Sequence, residues 1–448
     1  MAKEYLIGDF LKRIKRPIDL EPNQNYNLVT IKMNHKGVIL RGQKKGCDIK
    51  SKMFEVKEGD FILSGIDARN GAFGIVSEEL EGAIVTNDFW YFEIDEKIIS
   101  KQLFLELTAT TWFDDICQKG SDGTTQRIRL QKNKFFNQKI FLPEGDEQKE
   151  LLNKILTFKK GQTKLNKEID SQKHLLTQLK QSILQEAIQG KLTKDWREQN
   201  PDAESASELL KRIKAEKAQL IKDKKIKKEK PLPKITKEEV PFELPEGWVW
   251  SRLGEVIVNS DNLNIHNILP PNELVNYVDI DTIDNKHQKI KEPKLLPVNQ
   301  LSTRARRVLK KGNIMYSLVR PYLHNLAIIK DDKKNYIGST GFAVFNCLSI
   351  ENKFVFWLLL SKYIENIYLE FMDGFNSPSI THDQFKSTII PIPPFSEQKE
   401  IVKKVDSLMQ QCQALEQEIK TSETNAQMLM QAVLKEAFES KENKPLKM

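Results

Sequence analysis

Two kinds of hydrophobic pattern alternate along this chain. Short apolar runs bounded by turn residues, such as Phe61-Ile-Leu-Ser, Gly82-Ala-Ile-Val-Thr and Asn276-Tyr-Val-Asp-Ile-Asp, predict strands. Ile98–Cys117 and Lys353–Phe371 carry helical patterns between them, so the globular parts read as mixed α/β (α+β) domains with a partly antiparallel sheet. Two long stretches instead repeat apolar residues in steps of four and three. One runs through Leu151, Ile155, Phe158, Leu165, Ile169, Leu176, Leu179 and Ile183. The other runs through Ile401, Val405, Leu408, Cys412, Leu415, Ile419, Leu429 and Val433. A sustained heptad of this kind predicts a coiled-coil seam.

The two stretches are copies of each other. Residues 141–190 align without a gap on 391–440, with 14 of the 50 positions identical, which is more than a shared heptad alone requires. The repeat continues upstream: Gly59-Asp-Phe-Ile-Leu-Ser64 resembles Gly312-Asn-Ile-Met-Tyr-Ser317, and Leu6-Ile-Gly-Asp-Phe10 resembles Arg252-Leu-Gly-Glu-Val256. The pattern predicts a pseudo-twofold molecule in which each globular domain precedes a long helix. These helices could pair with each other or with other chains, and pairing within the chain is favoured because both lie on one polypeptide. The corresponding divisions are 1–143, 144–190, 191–240, 241–394, 395–440 and a tail at 441–448. Residues 191–240 have no counterpart: a helical pattern near Ala206–Lys224 leads into Pro231-Leu-Pro, which cannot continue a helix.

Composition narrows the class. In 448 residues the longest apolar run is Phe354 to Leu360, far short of the ~20 needed to cross a bilayer. Cys47, Cys117, Cys347 and Cys412 form no CxxC pair, so neither a disulfide framework nor structural zinc is expected, and a cytoplasmic location is. Of the net charge of +8, residues 189–240 hold 15 Lys+Arg against 10 Asp+Glu, centred on Ile221-Lys-Asp-Lys-Lys-Ile-Lys-Lys-Glu-Lys230. That run could attract phosphates, but by itself it reads as a solvated helix leading into a linker.

Catalytic equipment is thin. There is no phosphate-binding loop, dinucleotide turn, HExxH pair or nucleophile elbow. Ile392-Pro-Pro-Phe395 has isoleucine where an amino-methyltransferase motif needs Asp or Asn to hold the target amino group. Asp284…Glu292-Pro-Lys294 only loosely imitates a nuclease carboxylate set. No catalytic or metal-binding residue is expected.

Four strings carry a family resemblance: Ile390-Pro-Ile-Pro-Pro-Phe-Ser-Glu-Gln-Lys-Glu400, Gln189-Gly-Lys-Leu-Thr-Lys-Asp-Trp-Arg197, Ser207-Glu-Leu-Leu-Lys211…Glu216-Lys217, and Phe242-Glu-Leu-Pro-Glu-Gly-Trp-Val-Trp-Ser-Arg-Leu-Gly-Glu255. With the repeat, they make the chain resemble the specificity subunit of a type I restriction–modification enzyme. Two departures are visible: the first copy lacks the Leu-Pro-x-Gly-Trp opening and has Pro143-Glu-Gly in place of Pro-Pro-Phe. The resemblance implies two target-recognition domains, each reading half of a split double-stranded DNA site. The two long helices would pack as an antiparallel pair that sets the spacer and docks two methyltransferase subunits, which restriction/translocase subunits may join. S-adenosylmethionine, ATP and magnesium would belong to those partners, with no cofactor in this chain.

Reading bases calls for Arg, Lys, Asn, Gln and Ser on loops that reach the major groove. The candidates in copy one are Arg69 and Asn70, then Thr124, Thr125, Gln126, Arg127, Arg129, Lys132 and Lys134. In copy two they are Arg304, Arg306, Arg307, Arg320, Tyr322, His324, Asn376, Ser377, Ser379 and His382. Singly, each could be a solvated turn residue. Two other classes stay open at this point: a coiled-coil scaffold with protein-binding domains, and a DNA-modifying enzyme with unfamiliar motifs.

Overall fold

The computed structural model describes residues 3–108, 111–123, 128–372 and 378–439. The chain divides into two compact units, residues 1–170 with 420–448 and residues 171–419, so both long helices contribute to each unit. Thr124, Thr125, Gln126, Arg127, Asn376 and Ser377 lie outside the described residues.

The repeat is realised in a matching four-stranded sheet in each unit. In the first unit a four-stranded sheet has the order Leu11–Ile14, Phe89–Ile94, Phe61–Ser64, Phe73–Ile75. In the second the order is Ile257–Asn259, Phe342–Cys347, Ile314–Ser317, Leu326–Ile328. Each unit adds a mixed sheet built around a parallel pair. Leu28 of Asn25–Ile31 pairs parallel with Ile84 of Ile84–Val85, and Leu274–Val278 pairs parallel with Tyr336–Ser339. The central strands Phe61–Ser64 and Ile314–Ser317 are buried on both faces, which is why they read as continuous apolar runs rather than alternating ones.

Each expected helical run is in fact two helices. Lys101–Thr108 is followed by Thr111–Lys119, and Asn352–Leu359 by Lys362–Phe371. In the second case the reason is visible: the buried Ser361 hydroxyl accepts from the Ile364 N–H and caps the new helix, ending the old one.

The long helices span Asp146–Ile188 and Phe395–Glu439. Within the second unit they run antiparallel: Lys180 Nζ meets Glu416 at 2.6 Å, and Lys404 Nζ meets the Leu192 carbonyl at 2.7 Å. Ile183, Leu184, Ala187 and Ile188 share one core cluster with Ile401, Val402, Val405 and Cys412. The seam is narrower than the heptad predicts. Ile155, Ile169, Leu176, Ile183, Val405 and Cys412 are buried, but Leu165, Leu179, Leu415 and Leu429 are 41–53% exposed. A two-helix contact covers one position per heptad, while the second slides to the shoulder of the pair. The side chain of Val433 is outside the described residues.

Each long helix is tied to its domain by a glutamine. Gln148 Nε2 donates to the Ile98 and Pro143 carbonyls, and its Oε1 accepts from Ser100 N–H. Gln398, 250 residues later, donates to the Pro393 carbonyl and accepts from Glu351 N–H. The neighbouring position differs between the copies. Glu397 is fully buried and accepts from Thr193 Oγ1 at 2.6 Å, from Trp248 Nε1 at 2.8 Å and from Arg197, whereas Glu147 is exposed.

Candidate nucleic-acid interface

The same backbone device brings two loops together in each copy. Gly65, just past the strand Phe61–Ser64, donates its N–H to the Asp88 carbonyl and accepts from Leu130 N–H at 2.7 Å. Leu318, just past Ile314–Ser317, donates to the Gly341 carbonyl and accepts from Ile380 N–H at 2.9 Å. This pins the loop after the central strand beside the loop before the last short helix. In copy one Arg69, Asn70, Gln118, Ser121, Asp122, Gly123 and Ile128 consequently line one cavity of 420 Å³.

The first loop is a single helical turn, Ala68–Asn70, closed by Gly71 at φ 72°. A side chain at Gly71 would press on His35, whose ring is 3.0 Å from the place a Cβ would take. That contact exposes an element the sequence reading missed. The tip of the hairpin between Asn25–Ile31 and Val38–Lys45 donates from Asn34 N–H to Asn70 O and from His35 N–H to Gly71 O. His35 Nε2 also meets Asp114 at 2.9 Å, so Met33–Lys36 stands beside Arg69 and Asn70. Asn34-His35-Lys36-Gly37 reads as a turn; nothing local says which loop it abuts.

In copy two the turn is Pro321–Leu323, flanked by Arg320 (φ 48°) and His324 (φ 51°). Left-handed backbone at two non-glycine residues costs on the order of 1–3 kcal/mol each. The two bonds of the Val319–Ser379 bridge hold it in place: Arg320 N–H to the Pro378 carbonyl at 2.8 Å and Ile380 N–H to the Leu318 carbonyl at 2.9 Å. Arg320 and Tyr322 are exposed and Ser379 half-buried.

Several candidates are engaged elsewhere. Arg307 is half-buried on Ala305–Val308, beside a register shift in that strand, and its guanidinium meets His382 Nε2 at 2.6 Å. Burial, helped by that guanidinium, pushes the His382 imidazole down to about 4, so it stays neutral and accepts the bond. The pair joins the strand to the helix His382–Ser387 rather than standing free in a loop. His324 faces Glu365 at 3.4 Å, and burial lowers its pKa. Arg129 is paired with Asp88 and Lys134 with Asp122, all at the surface. Arg306 donates to the Thr303 carbonyl, while Arg304 and Lys132 are exposed and Asn70 with them. Among the described residues no His, Cys, Asp or Glu cluster could hold a metal, and no helix is long and apolar enough to cross a membrane.

Comparison with known sequences identifies the repeated unit. The profile of the type I restriction modification DNA specificity domain matches residues 3–172 and again 245–422. The chain belongs to this family. Its two specificity domains are thus the two copies of the repeat, each taken with the start of its long helix. The specificity subunit of the type I restriction enzyme EcoAI of Escherichia coli is 37% identical over 259 residues, covering 54% of this chain and 41% of that protein. The chain thus matches less than half the length of that relative. The EcoDI specificity subunit of the same organism is 25% identical over 440 residues, 95% of this chain and 89% of the relative. A chain from a structure on complex assembly and conformational transition of a type I R-M system matches the fold. Its TM-score is 0.60 at 17% identity, over 98% of this chain and 97% of that one.

Proposed function

We propose that this chain is the non-catalytic DNA-reading subunit of a type I restriction–modification assembly, each specificity domain reading one half of an asymmetric bipartite site. The observation that carries this reading is the loop pair. Identical pivots at Gly65 and Leu318 hold two loops together in both domains, yet the loops themselves, Asp67–Gly71 and Val319–His324, share almost no residues. A constant frame with a variable tip is what two readers of different sequences require. The exposed Asn70 and Arg320, with Arg69 beside them, have the chemistry to reach base edges, and Lys132 and Arg304 suit phosphates.

In this reading the paired helices set the spacer and carry two methyltransferase subunits, with restriction subunits joining them. S-adenosylmethionine, ATP and magnesium act on those partners. The complex works in the cytoplasm, where its DNA is. Deleting one heptad from each long helix, Gln162–Glu168 and Cys412–Glu418, would remove ~10.5 Å at ~1.5 Å per residue and shift the preferred spacer by about three base pairs.

The deciding experiment is competition between duplexes altered in one half-site only, with the methyltransferase subunit present. Arg320→Ala is expected to cost ~1–3 kcal/mol and relax preference in one half-site, and Asn70→Ala to do so in the other. A loss uniform across all sequences would move these residues to phosphate contact. Binding and preference untouched by both would overturn the loop assignment. Methylation or cleavage by the chain alone would overturn the non-catalytic role.

A further inference from the structure

The repeat places equivalent grooves on the two domains, and among the described residues only one of them is filled. Two pairs of backbone bonds fix the equivalence. Ile7 N–H to Gln138 O corresponds to Leu253 N–H to Thr388 O, and Asp95 N–H to Phe10 O corresponds to Leu348 N–H to Val256 O. In copy two the groove lies among Gly254–Asn259, Asn346–Ile350 and His382–Ser387. The helix Ala206–Lys222 and the segment after it strap this groove shut. Lys217 Nζ donates to the Gly254 carbonyl at 2.6 Å and the Ile257 carbonyl at 3.0 Å. Glu216 accepts from Ser349, and Glu229 accepts from Asn259 and Lys386. Leu232 lies so close to Gly254 that a Cβ there would be 2.9 Å from its methyl carbon. Ala206, Leu209 and Ile213 form the fully buried face of the strap itself.

In copy one the same three walls, Gly8–Arg13, Glu93–Lys97 and Lys132–Asn137, bound an open cavity of 1060 Å³. Gly8 is exposed where Gly254 is buried. The volume stands at the upper end of what small-molecule pockets show, and the matching groove accepts a helix. Its rim has changed in the direction expected of a surface that is covered only part of the time. Asp95, exposed, replaces the half-buried Leu348, and the exposed Glu96 and Lys97 fall in a two-residue insertion before Ile99, which is buried like its counterpart Ile350. A permanently covered wall can be apolar; one that meets water between partners needs charge.

We infer that the copy-one groove is a docking site for a lysine-bearing amphipathic helix of another subunit, held as Lys217 and its helix are held in copy two. The chain's own strap is already committed to copy two by its buried face, which disfavours a second copy as the donor. The groove goes beyond the proposed function, but the choice of methyltransferase subunit as probe rests on that reading.

The experiment uses the full chain carrying Lys97→Cys, with the natural exposed Cys47, outside the groove, as internal reference. Thiol alkylation at each site is followed by mass spectrometry while complex formation is followed by sedimentation. Saturating methyltransferase subunit is expected to slow alkylation at the Lys97→Cys site at least tenfold and leave Cys47 unchanged. Asp95→Lys combined with Glu96→Lys is expected to weaken the complex at least tenfold. A complex that forms while both thiols react at unchanged rates overturns the docking site. Slow labelling in the chain alone also overturns it, by assigning the cover to this chain or to a second copy. If no complex forms, the assembly reading fails instead, and the groove is judged with a free peptide of residues 203–240. Protection by the peptide upholds a helix site; its absence overturns it.

Discussion

The two specificity domains share a scaffold and differ in how they are fastened. Both have the four-stranded sheet, the pivot after its central strand and the glutamine that anchors a long helix. Among the described residues, only the second has a buried glutamate, Glu397, gripped by Thr193, Arg197 and Trp248, and only the second has its groove strapped. The residues that make the difference come from 191–250, which follow the first long helix. The lesson is that a repeat transmits whatever lies within its unit, whereas contacts supplied by a segment occurring once make equivalent positions unequal.

The largest test of that contrast is the carboxylate. Glu397→Ala would strip the buried Trp248 indole N–H of its acceptor and remove the carboxylate from the partly exposed Arg197 and the buried Thr193 hydroxyl, and is expected to cost about 3–5 kcal/mol in urea unfolding. The same change at the exposed Glu147 is expected to cost about 1 kcal/mol or less. Comparable losses would mean the two fastenings are equivalent after all.

The glutamines test the shared part. Gln398→Ala strands the half-buried Glu351 N–H and the buried Pro393 carbonyl and is expected to cost about 2–3 kcal/mol, with Gln148→Ala close behind at about 1–2 kcal/mol. A cost confined to one of them would show that the scaffold is not carried equally by both copies.

The smallest effect concerns His382. Its folded pKa, about 4, lies below the ordinary 6.5, so in that window the unfolded chain binds a proton that the folded one refuses. Its contribution is complete above pH 6.5 and is lost as pH falls towards 4. By pH 5 the loss is expected to be roughly 1 kcal/mol, allowing for partial solvent screening, or ~2–4 °C in Tm. Arg307, Lys386 and Asp383 surround the ring. His382→Gln keeps an acceptor for Arg307 and is expected to flatten the acid slope of the second unit by that amount. Copy one has Lys132 at this position, so its unit is expected to show no matching change in Lys132→Gln.

Much of this molecule was written in local pattern. The period near 250 residues, the long helices and the mixed α/β domains follow from apolar spacing, because burial of one face imposes a fixed period on any helix or strand. The loops that carry Arg69 and Arg320 were legible too, since they recur at matching places. Tertiary structure decided the rest. Leu179 and Leu415 sit in the heptad yet are exposed, because the width of a seam depends on the partner's surface and not on the helix's own period. Arg307 reads like Arg304 in sequence, but the strand turns one toward His382 and leaves the other in water. His35 gave no signal, and Lys217 stood out only within a family string, with nothing to say what it would touch. The first meets its loop across a gap of 36 residues to Gly71, the second a groove 37 residues away at Gly254, and no local rule reports which distant backbone a side chain will find.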